Sequence, residues 1–441
     1  MLDTGCRGCG WRRFGLAALA IAVAAAAACT KQPDAAGGGA VGGGAGGAIK
    51  IGVYGPLTGG SSPMGLSMRD GVRLAAREIN AHGGVLGRQI ELVERDDQAT
   101  NERGAQVMQD LVSNQQVVAV LGPINTGVAL ASFKYPMQAK VPLLINVSAG
   151  APVNELFKDY PDNYVFRIAA SDNIQAQMIV GEAVDKLGLK QVAFLCDDTN
   201  YGQSGCTKMQ AAMASRALQP VYTGKFKIKD TDMTPQLQQA RAAGAQALLV
   251  YGIGPELAQI ANGMAKLGWK VPLIGSWTLS MSNFIDAAGA NGDGATMPQT
   301  FIQNGAATPK AKQFVADYQA AYKVDRIPSA VSAAQGYDSM YLLAAAIEQA
   351  GATEGPKIKA ALENLQKPYA GVIASFDKPY SATDHEAIHA AQVVMGVVRG
   401  GQVQPPAAPA TPPATPPATP PATPPAAPAG AAQAPPAAPK S

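Results

Sequence analysis

The chain has 441 residues, enough for more than one domain at roughly 100–200 residues each. Nearly half of it is apolar (47%) and only 15% is charged, so a sizeable core can be buried. The formal net charge of +3 is small for this length. There is no basic stripe with interleaved aromatics, which argues against nucleic acid as a partner.

The first segment reads as an export signal. Arg7, Arg12 and Arg13 form a positive start, and Phe14 to Ala28 is an apolar run too short to span a bilayer. It ends in Ala26-Ala27-Ala28-Cys29, which is similar to a bacterial lipobox with Ala26 in place of the usual Leu. Cys29 is therefore the candidate lipidation site, with ordinary cleavage nearby as the alternative. Arg12-Arg13-Phe14 also leaves a twin-arginine signal open. Cys6 and Cys9 lie inside this segment, so their CxxC spacing is not read as redox or zinc chemistry. With Cys29 lipidated, Cys196 and Cys206 remain. An even remainder in an oxidising compartment points to one disulfide, with two free thiols as the other possibility.

Residues 29–48 are Gly-rich and form a flexible tether without a core to bury. Ile49 to Tyr54 is the first expected strand. Ser67 to Ala81 carries an apolar helical face, and Gly83-Gly84 stops it. Gln89–Glu94 is the next strand, Glu102–Asn114 a helix and Val117–Leu121 a strand. Thr126–Ala139 is a helix and Pro142–Asn146 a strand. The pattern then restarts: strands at Gln191–Leu195, Val221–Phe226, Ala247–Tyr251 and Leu273–Gly275 alternate with helices at Gln203–Arg216, Pro235–Ala243 and Pro255–Leu267. Alternating β and α elements with short turns predict parallel, doubly wound sheets in an α/β fold. Two such lobes in succession imply a cleft between them, at the carboxyl ends of the strands. From Pro405 onward, Ala-Thr-Pro-Pro repeats predict a solvated polyproline II spacer, either disordered or reaching a cell-wall partner.

Two corners carry the candidate chemistry. At 121–130 the sequence is LGPINTGVAL, a buried strand running through Asn125 and Thr126 into a helix. A helix start with a hydroxyl attracts anions, but Asn and Thr are equally ordinary N-caps. At 147–152, VSAGAP leaves Ser148, Ala149 and Gly150 with little side chain at another strand end. The third and fourth strands are expected neighbours, so both corners could converge on one anionic group. Catalytic motifs are missing: there is no GxSxG, P-loop or HExxH, the glycines near Gly52 lack GxGxxG spacing, and no acid/base pair stands out. His385 and His389 are four apart and could share a helix face as metal ligands, though a solvated turn reads better. The expectation is a binding protein, not an enzyme, with no cofactor or metal.

A resemblance sharpens this. IKIGVYGPLTG (49–59), DGVRLAAREINAHGGVLGRQIELVERDDQA (70–99), VVAVLGPINTG (117–127), VPLLINVSAGAP (141–152), YVFRIAASDNIQA (164–176) and TNYGQSG (199–205) are similar to the leucine/isoleucine/valine-binding protein family. The similarity spans about residues 49–398. It implies the type I periplasmic binding fold: two Rossmann-like, doubly wound lobes joined by a three-crossover hinge, with disordered tails at both ends. The implied segmentation is signal peptide 1–28, tether 29–48, first lobe 49–168 and 298–371, second lobe 169–297 and 372–400, and Pro/Ala/Thr-rich tail 401–441. The implied function is capture of a small carboxylate-bearing solute for an ABC permease in the inner membrane. The chain would be a monomer anchored by lipid in the periplasm. A sensor signalling to a membrane receptor or kinase is the alternative.

By the same resemblance, Thr126 takes the hydroxyl contact to the solute carboxylate, and Ser148-Ala149-Gly150 forms the facing turn without a hydroxyl at 150. Tyr201, in Tyr201-Gly202, closes from the second lobe, and the Cys196–Cys206 bridge would brace its loop. The acid that holds an ammonium in amino-acid binders falls on Ser276-Trp277-Thr278, where no acid stands. A buried ammonium without counter-charge is costly. The expectation is therefore an amino acid or, as the better fit, an aliphatic or aromatic acid without an α-amino group, stacked on Trp277 and Tyr201.

Overall fold

A computed structural model describes residues 46–156, 160, 162–406, 430 and 434. The expected signal segment, Cys29, residues 29–45 of the tether and nearly all of the tail beyond 406 lie outside the described residues. No helix among the described residues is long and apolar enough to cross a membrane.

The first lobe is built from β1 (Ile49–Gly55), α1 (Ser62–Ala81), β2 (Ile90–Asp96), α2 (Asn101–Gln109), β3 (Ala119–Leu121), α3 (Thr126–Ser132), α4 (Lys134–Ala139), β4 (Leu143–Ile145), α5 (Pro152–Glu155) and β5 (Val165–Arg167). These strands form one parallel sheet in the order β2-β1-β3-β4-β5. Buried aliphatics on both faces, such as Ile51, Val53, Val120 and Leu144, suit a sheet covered by helices on each side. The helix expected over 126–139 is broken at Phe133 into α3 and α4. Pro136 is the physical reason, since its ring opposes the carbonyl of Ser132 four residues back.

The second lobe follows with α6 (Asp172–Gly181), β6 (Val192–Asp197), α7 (Asn200–Ala214), β7 (Tyr222–Phe226), α8 (Thr234–Ala242), β8 (Ala247–Tyr251), α9 (Glu256–Lys266), β9 (Leu273–Gly275), α10 (Ser282–Ala288) and β10 (Thr296–Gln299). Strands β6 to β10 repeat the first lobe's order, β7-β6-β8-β9-β10. Each lobe thus reverses its strand order beside its first strand, and there the carboxyl ends open a crevice.

The chain then returns to the first lobe with α11 (Pro309–Tyr322), α12 (Ala330–Ala350), α13 (Gly355–Leu362) and a small hairpin of β11 (Tyr369–Ala370) and β12 (Ser375–Phe376). Helix α12 lies almost wholly buried against α1. Their backbones nearly touch: a Cβ on Gly71 would stand 2.0 Å from the Ala333 carbonyl, and one on Gly336 2.2 Å from that of Met68. Finally β13 (Val394–Arg399) pairs antiparallel with β10, and β14 (Gln402–Gln404) pairs with β13.

Two segment boundaries are corrected. Residues 372–392, expected in the second lobe, pack on the first. Val372 and Ile373 donate their N–H groups to Asp338 of α12 at 2.9 and 2.8 Å. Tyr380 meets Phe166 edge-on, and the His385 and Ala387 main chain bonds Arg167. This strip covers the edge of β5, whose backbone groups would otherwise lack partners. The return to the second lobe begins only at β13, and it extends through β14 into the segment expected as tail. The chain therefore crosses between lobes at about 168–171, 300–308 and 388–393, the expected three-crossover hinge.

The α1–α12 contact generates a stability prediction. Gly71→Ala forces the two helices apart and is expected to cost about 1–3 kcal/mol. Urea unfolding of the parent and variant measures it, and an unchanged midpoint would contradict the packing described.

Candidate functional site

The two corners do converge. Thr126 is 1% exposed and Ser148 is fully buried. The Gly150 N–H donates to Thr126 Oγ1 at 3.2 Å, and the Ser148 hydroxyl donates to the same oxygen at 3.4 Å. Thr126 therefore accepts twice and keeps its own hydroxyl proton to give to an acceptor. The missing side chain at Gly150 has a steric cause: a Cβ there would lie 2.2 Å from Thr126 Cγ2. The glycine lets the two corners close on each other.

Some donors assumed to be bare are engaged. The Ser148 N–H donates to the Pro123 carbonyl at 3.2 Å, and the Ala151 N–H to Ser204 Oγ at 3.2 Å. Helix α3 has only seven residues, and α5, after the second corner, only four. The anion-binding capacity thus resides more in hydroxyls than in helix ends. Asn125 stands at the N-cap of α3 without a side-chain cap bond. Its Nδ2 instead donates to Ser61 Oγ at 3.2 Å, which ties the corner to the start of α1.

Arg167, at the end of β5, holds this corner from behind. It is 1% exposed and donates Nη1 to the Gly150 carbonyl at 2.8 Å. Its Nε and Nη2 grip both carboxylate oxygens of Glu386, a bidentate pair. The strip at 385–387 is therefore coupled to the corner more than 200 residues before it.

The second lobe closes over this floor. Tyr201 follows the N-cap Thr199, whose Oγ1 accepts from Gly202 N at 3.2 Å. Its ring packs 4.9 Å from that of Tyr251, and both are buried. Trp277 begins a 3-10 turn after β9 and is 2% exposed. Its N–H donates to Gln175 Oε1 at 3.2 Å. Tyr201, Trp277 and Ile253 of the second lobe share one apolar cluster with Met64, Val147 and Ala149 of the first. Polar contacts also cross the seam: Lys208 pairs with Glu155 at 3.2 Å, and Asn283 donates to the Gly60 carbonyl at 2.8 Å. The lobes are closed. Cys196 and Cys206 have their sulfurs 2.17 Å apart, joining β6 to α7 on either side of Tyr201.

Asp172 is the residue the sequence reading passed over. An acid in the first turn of a helix is ordinarily solvated, yet Asp172 at the start of α6 is fully buried. Its N–H donates to the Ala149 carbonyl at 2.8 Å, and its Oδ1 accepts from Tyr251 at 2.6 Å. Burial pushes its carboxyl from the ordinary 3.8 up to about 6, against the opposing pull of Tyr251, Ser204 and Arg167. A lone acid set among Ala169, Ala170 and Ser171, directly after a strand, was the signal available.

The helix face considered as the alternative for His385 and His389 does not form. His385 sits in non-helical backbone, buried and stacked 4.0 Å from Phe166, and its Nδ1 meets the Val165 carbonyl at 2.8 Å. It is neither solvated nor paired with the exposed His389; no His/Cys/Asp/Glu cluster suited to a metal occurs among the described residues.

Comparison with known proteins agrees with this fold. The family model described as "Periplasmic binding protein" matches residues 48–402. A leucine-, isoleucine-, valine-, threonine- and alanine-binding protein of Pseudomonas aeruginosa is 27% identical over 71% of this chain and 82% of its own length. A Leu/Ile/Val-binding protein homologue of Brucella melitensis is 25% identical over 69% of this chain and 80% of its own. The crystal structure of the branched-chain amino acid transporter substrate-binding protein LivJ from Streptococcus pneumoniae, in complex with isoleucine, superposes with a TM-score of 0.71. It is 26% identical, covering 81% of this chain and 98% of LivJ. A Rhodopseudomonas palustris solute-binding protein in complex with benzoate shares the fold at a TM-score of 0.69 and 20% identity, covering 81% of this chain and 95% of that one.

The burial of Asp172 sets a pH dependence. Its folded pKa lies above its ordinary value, so the folded state holds more protons between the two. Stability is then expected to fall as pH rises through that window, from about 4 to about 6. Asp197 and Asp338 shift the same way. Asp172→Asn should remove part of the decline, read as melting temperature against pH; an unaltered slope would contradict the assignment.

Proposed function

The chain belongs to the periplasmic binding protein family, and on that premise we propose that it captures a small carboxylate-bearing solute between its lobes. It then presents the solute to an ABC permease in the membrane. The family is one of binding proteins rather than enzymes. The observation that supports this reading is the convergence of the Thr126 and Ser148–Gly150 corners on the first lobe, with Tyr201 and Trp277 of the second lobe in the apolar cluster that both lobes share. The floor offers a hydroxyl proton to an anion, and the walls are apolar, as a small organic acid requires.

Closure follows from differential contact. Ser204 to Ala151 and Lys208 to Glu155 join residues of opposite lobes, so they form only when the lobes meet. A solute touching both floor and lid adds to them in the closed form alone, and that difference drives closure. The chain would act outside the cytoplasmic membrane, exported by its N-terminal segment, anchored through lipid at Cys29 and working as a monomer. In that oxidising setting the Cys196–Cys206 disulfide would brace the loop that carries Tyr201. Its ten-residue separation gives about 2–3 kcal/mol in the chain-entropy model.

A thermal-shift screen of the mature protein, with tryptophan fluorescence as a second readout, tests the function. Branched-chain amino acids, their 2-oxo acids and benzoate-type acids form the panel. At least one carboxylate is expected to raise the melting temperature, while the matching neutral amide does not. Stabilisation by uncharged solutes alone would overturn the reading. Thr126→Val should weaken the active carboxylate by roughly tenfold, the worth of one hydrogen bond to a charged group. Unchanged affinity would remove Thr126 from the site.

A further inference from the structure

The last two strands carry the chain back to the hinge. Gln404 of β14 lies level with Val397 of β13, and Val397 with Thr296 of β10, so β14 and β10 run the same way. Both point at the crossover over 300–308, and the chain beyond Gln404 enters a groove beside it. Pro405 and Pro406 line that groove, and a Cβ on Gly305 would stand 3.8 Å from Pro405 Cβ. Side-chain bonds fix this approach. Asn304 donates to Gln402 Oε1 at 2.5 Å and to the Val403 carbonyl at 3.3 Å, and Arg326 donates to the Gly401 carbonyl at 2.7 Å.

The groove holds about 490 Å³ and draws its walls from both lobes. Ala311 of α11 and Val372 belong to the first lobe, Val394 of β13 to the second, and Phe301 and Ala307 to the crossover between them. Among the described residues that line it, none is charged. Val394 is 47% exposed, so its aliphatic side chain stands uncovered on the second lobe's side of the groove. The chain that enters the groove matches it in kind. Residues 407–439 contain no Asp, Glu, Lys or Arg and consist mostly of Ala, Pro and Thr. Pro-rich segments favour polyproline II, which is preformed and so loses little entropy on docking, and they seat in apolar grooves that contain an aromatic ring. A charged partner of either sign would find no complementary group in this lining.

We propose that this groove is the seat of the chain's own C-terminal segment, with residues 407–413 lying along Phe301, Ala307 and Val394 as a strap across the hinge. A segment that touches Ala311 and Val372 on one side and Val394 on the other holds the two walls at one spacing. That spacing is the one found with the lobes closed, so the strap favours the closed arrangement over an open one. The inference is independent of which solute the cleft takes.

Photocrosslinking of the full mature chain tests it, with the photoreactive residue p-benzoylphenylalanine at position 394. Irradiation is expected to give an adduct within one chain, mapped by mass spectrometry to a peptide containing residues 407–413. Ala408→Asp combined with Ala410→Asp puts charge into the tail and changes no residue of the lobes; it is expected to abolish the adduct. A second readout uses the same pair in the otherwise native chain. The N–H groups of Gly305, Ala306, Gln392 and Val393 make turn hydrogen bonds in the two crossovers beside the groove. Their hydrogen exchange is expected to become roughly tenfold faster in the tail variant, the worth of one buried apolar side chain. Adducts that join two copies would assign the groove to another chain's tail, and adducts confined to the lobes would show that the tail does not dock; either result overturns the proposal. Crossover exchange that is equal in parent and tail variant would overturn it as well, because a tail that docks without slowing the hinge is not a strap.

Discussion

The hydrogen bond from the Gly150 N–H to Thr126 Oγ1 joins two strand-end corners into one floor, and the geometry of the cleft depends on it. It orients the threonine so that its hydroxyl proton is free to be given away. It also demands a glycine, because any side chain at 150 would strike Thr126. Arg167 fixes the other side of the same glycine by its carbonyl, and Glu386 fixes Arg167. Three segments far apart in sequence thus set the position of one small turn.

The lobes are two versions of one design. Both run their central strands in the same order, and both place the site at the carboxyl ends beside the strand-order reversal. Their contributions differ in kind. The first lobe gives hydroxyls on a floor that is polar at its centre; the second gives two large rings and a buried acid. On the proposed reading neither half alone encloses a guest, so capture and closure would be one event. The seam contacts at Ser204, Lys208 and Asn283 add to closure without touching the floor.

The fold was legible because the strands are short apolar runs bounded by turn residues. Ala247–Tyr251 and Leu273–Gly275 appear with the expected limits. The break at Phe133 was also written in the sequence, in Pro136, but the continuous apolar pattern masked it. The path of residues 372–392 was less accessible. That strip is mostly irregular, and its place is set by pairing with Arg167 and by the acceptor Asp338, both of which are long-range. The corners could be located from their composition, whereas their mutual bonding could not. Asp172 was hidden for a related reason. An acid in the first turn of a helix is ordinarily solvated, and only the tertiary packing of Tyr251 and Ala149 around it reveals a buried charge.

The most direct test of the central claim is a crystal structure of the mature protein with a stabilising carboxylate bound. The solute carboxylate is expected within hydrogen-bonding distance of Thr126 Oγ1, with Tyr201 and Trp277 covering it. A solute bound elsewhere, or with its carboxylate turned away from that hydroxyl, would contradict the account.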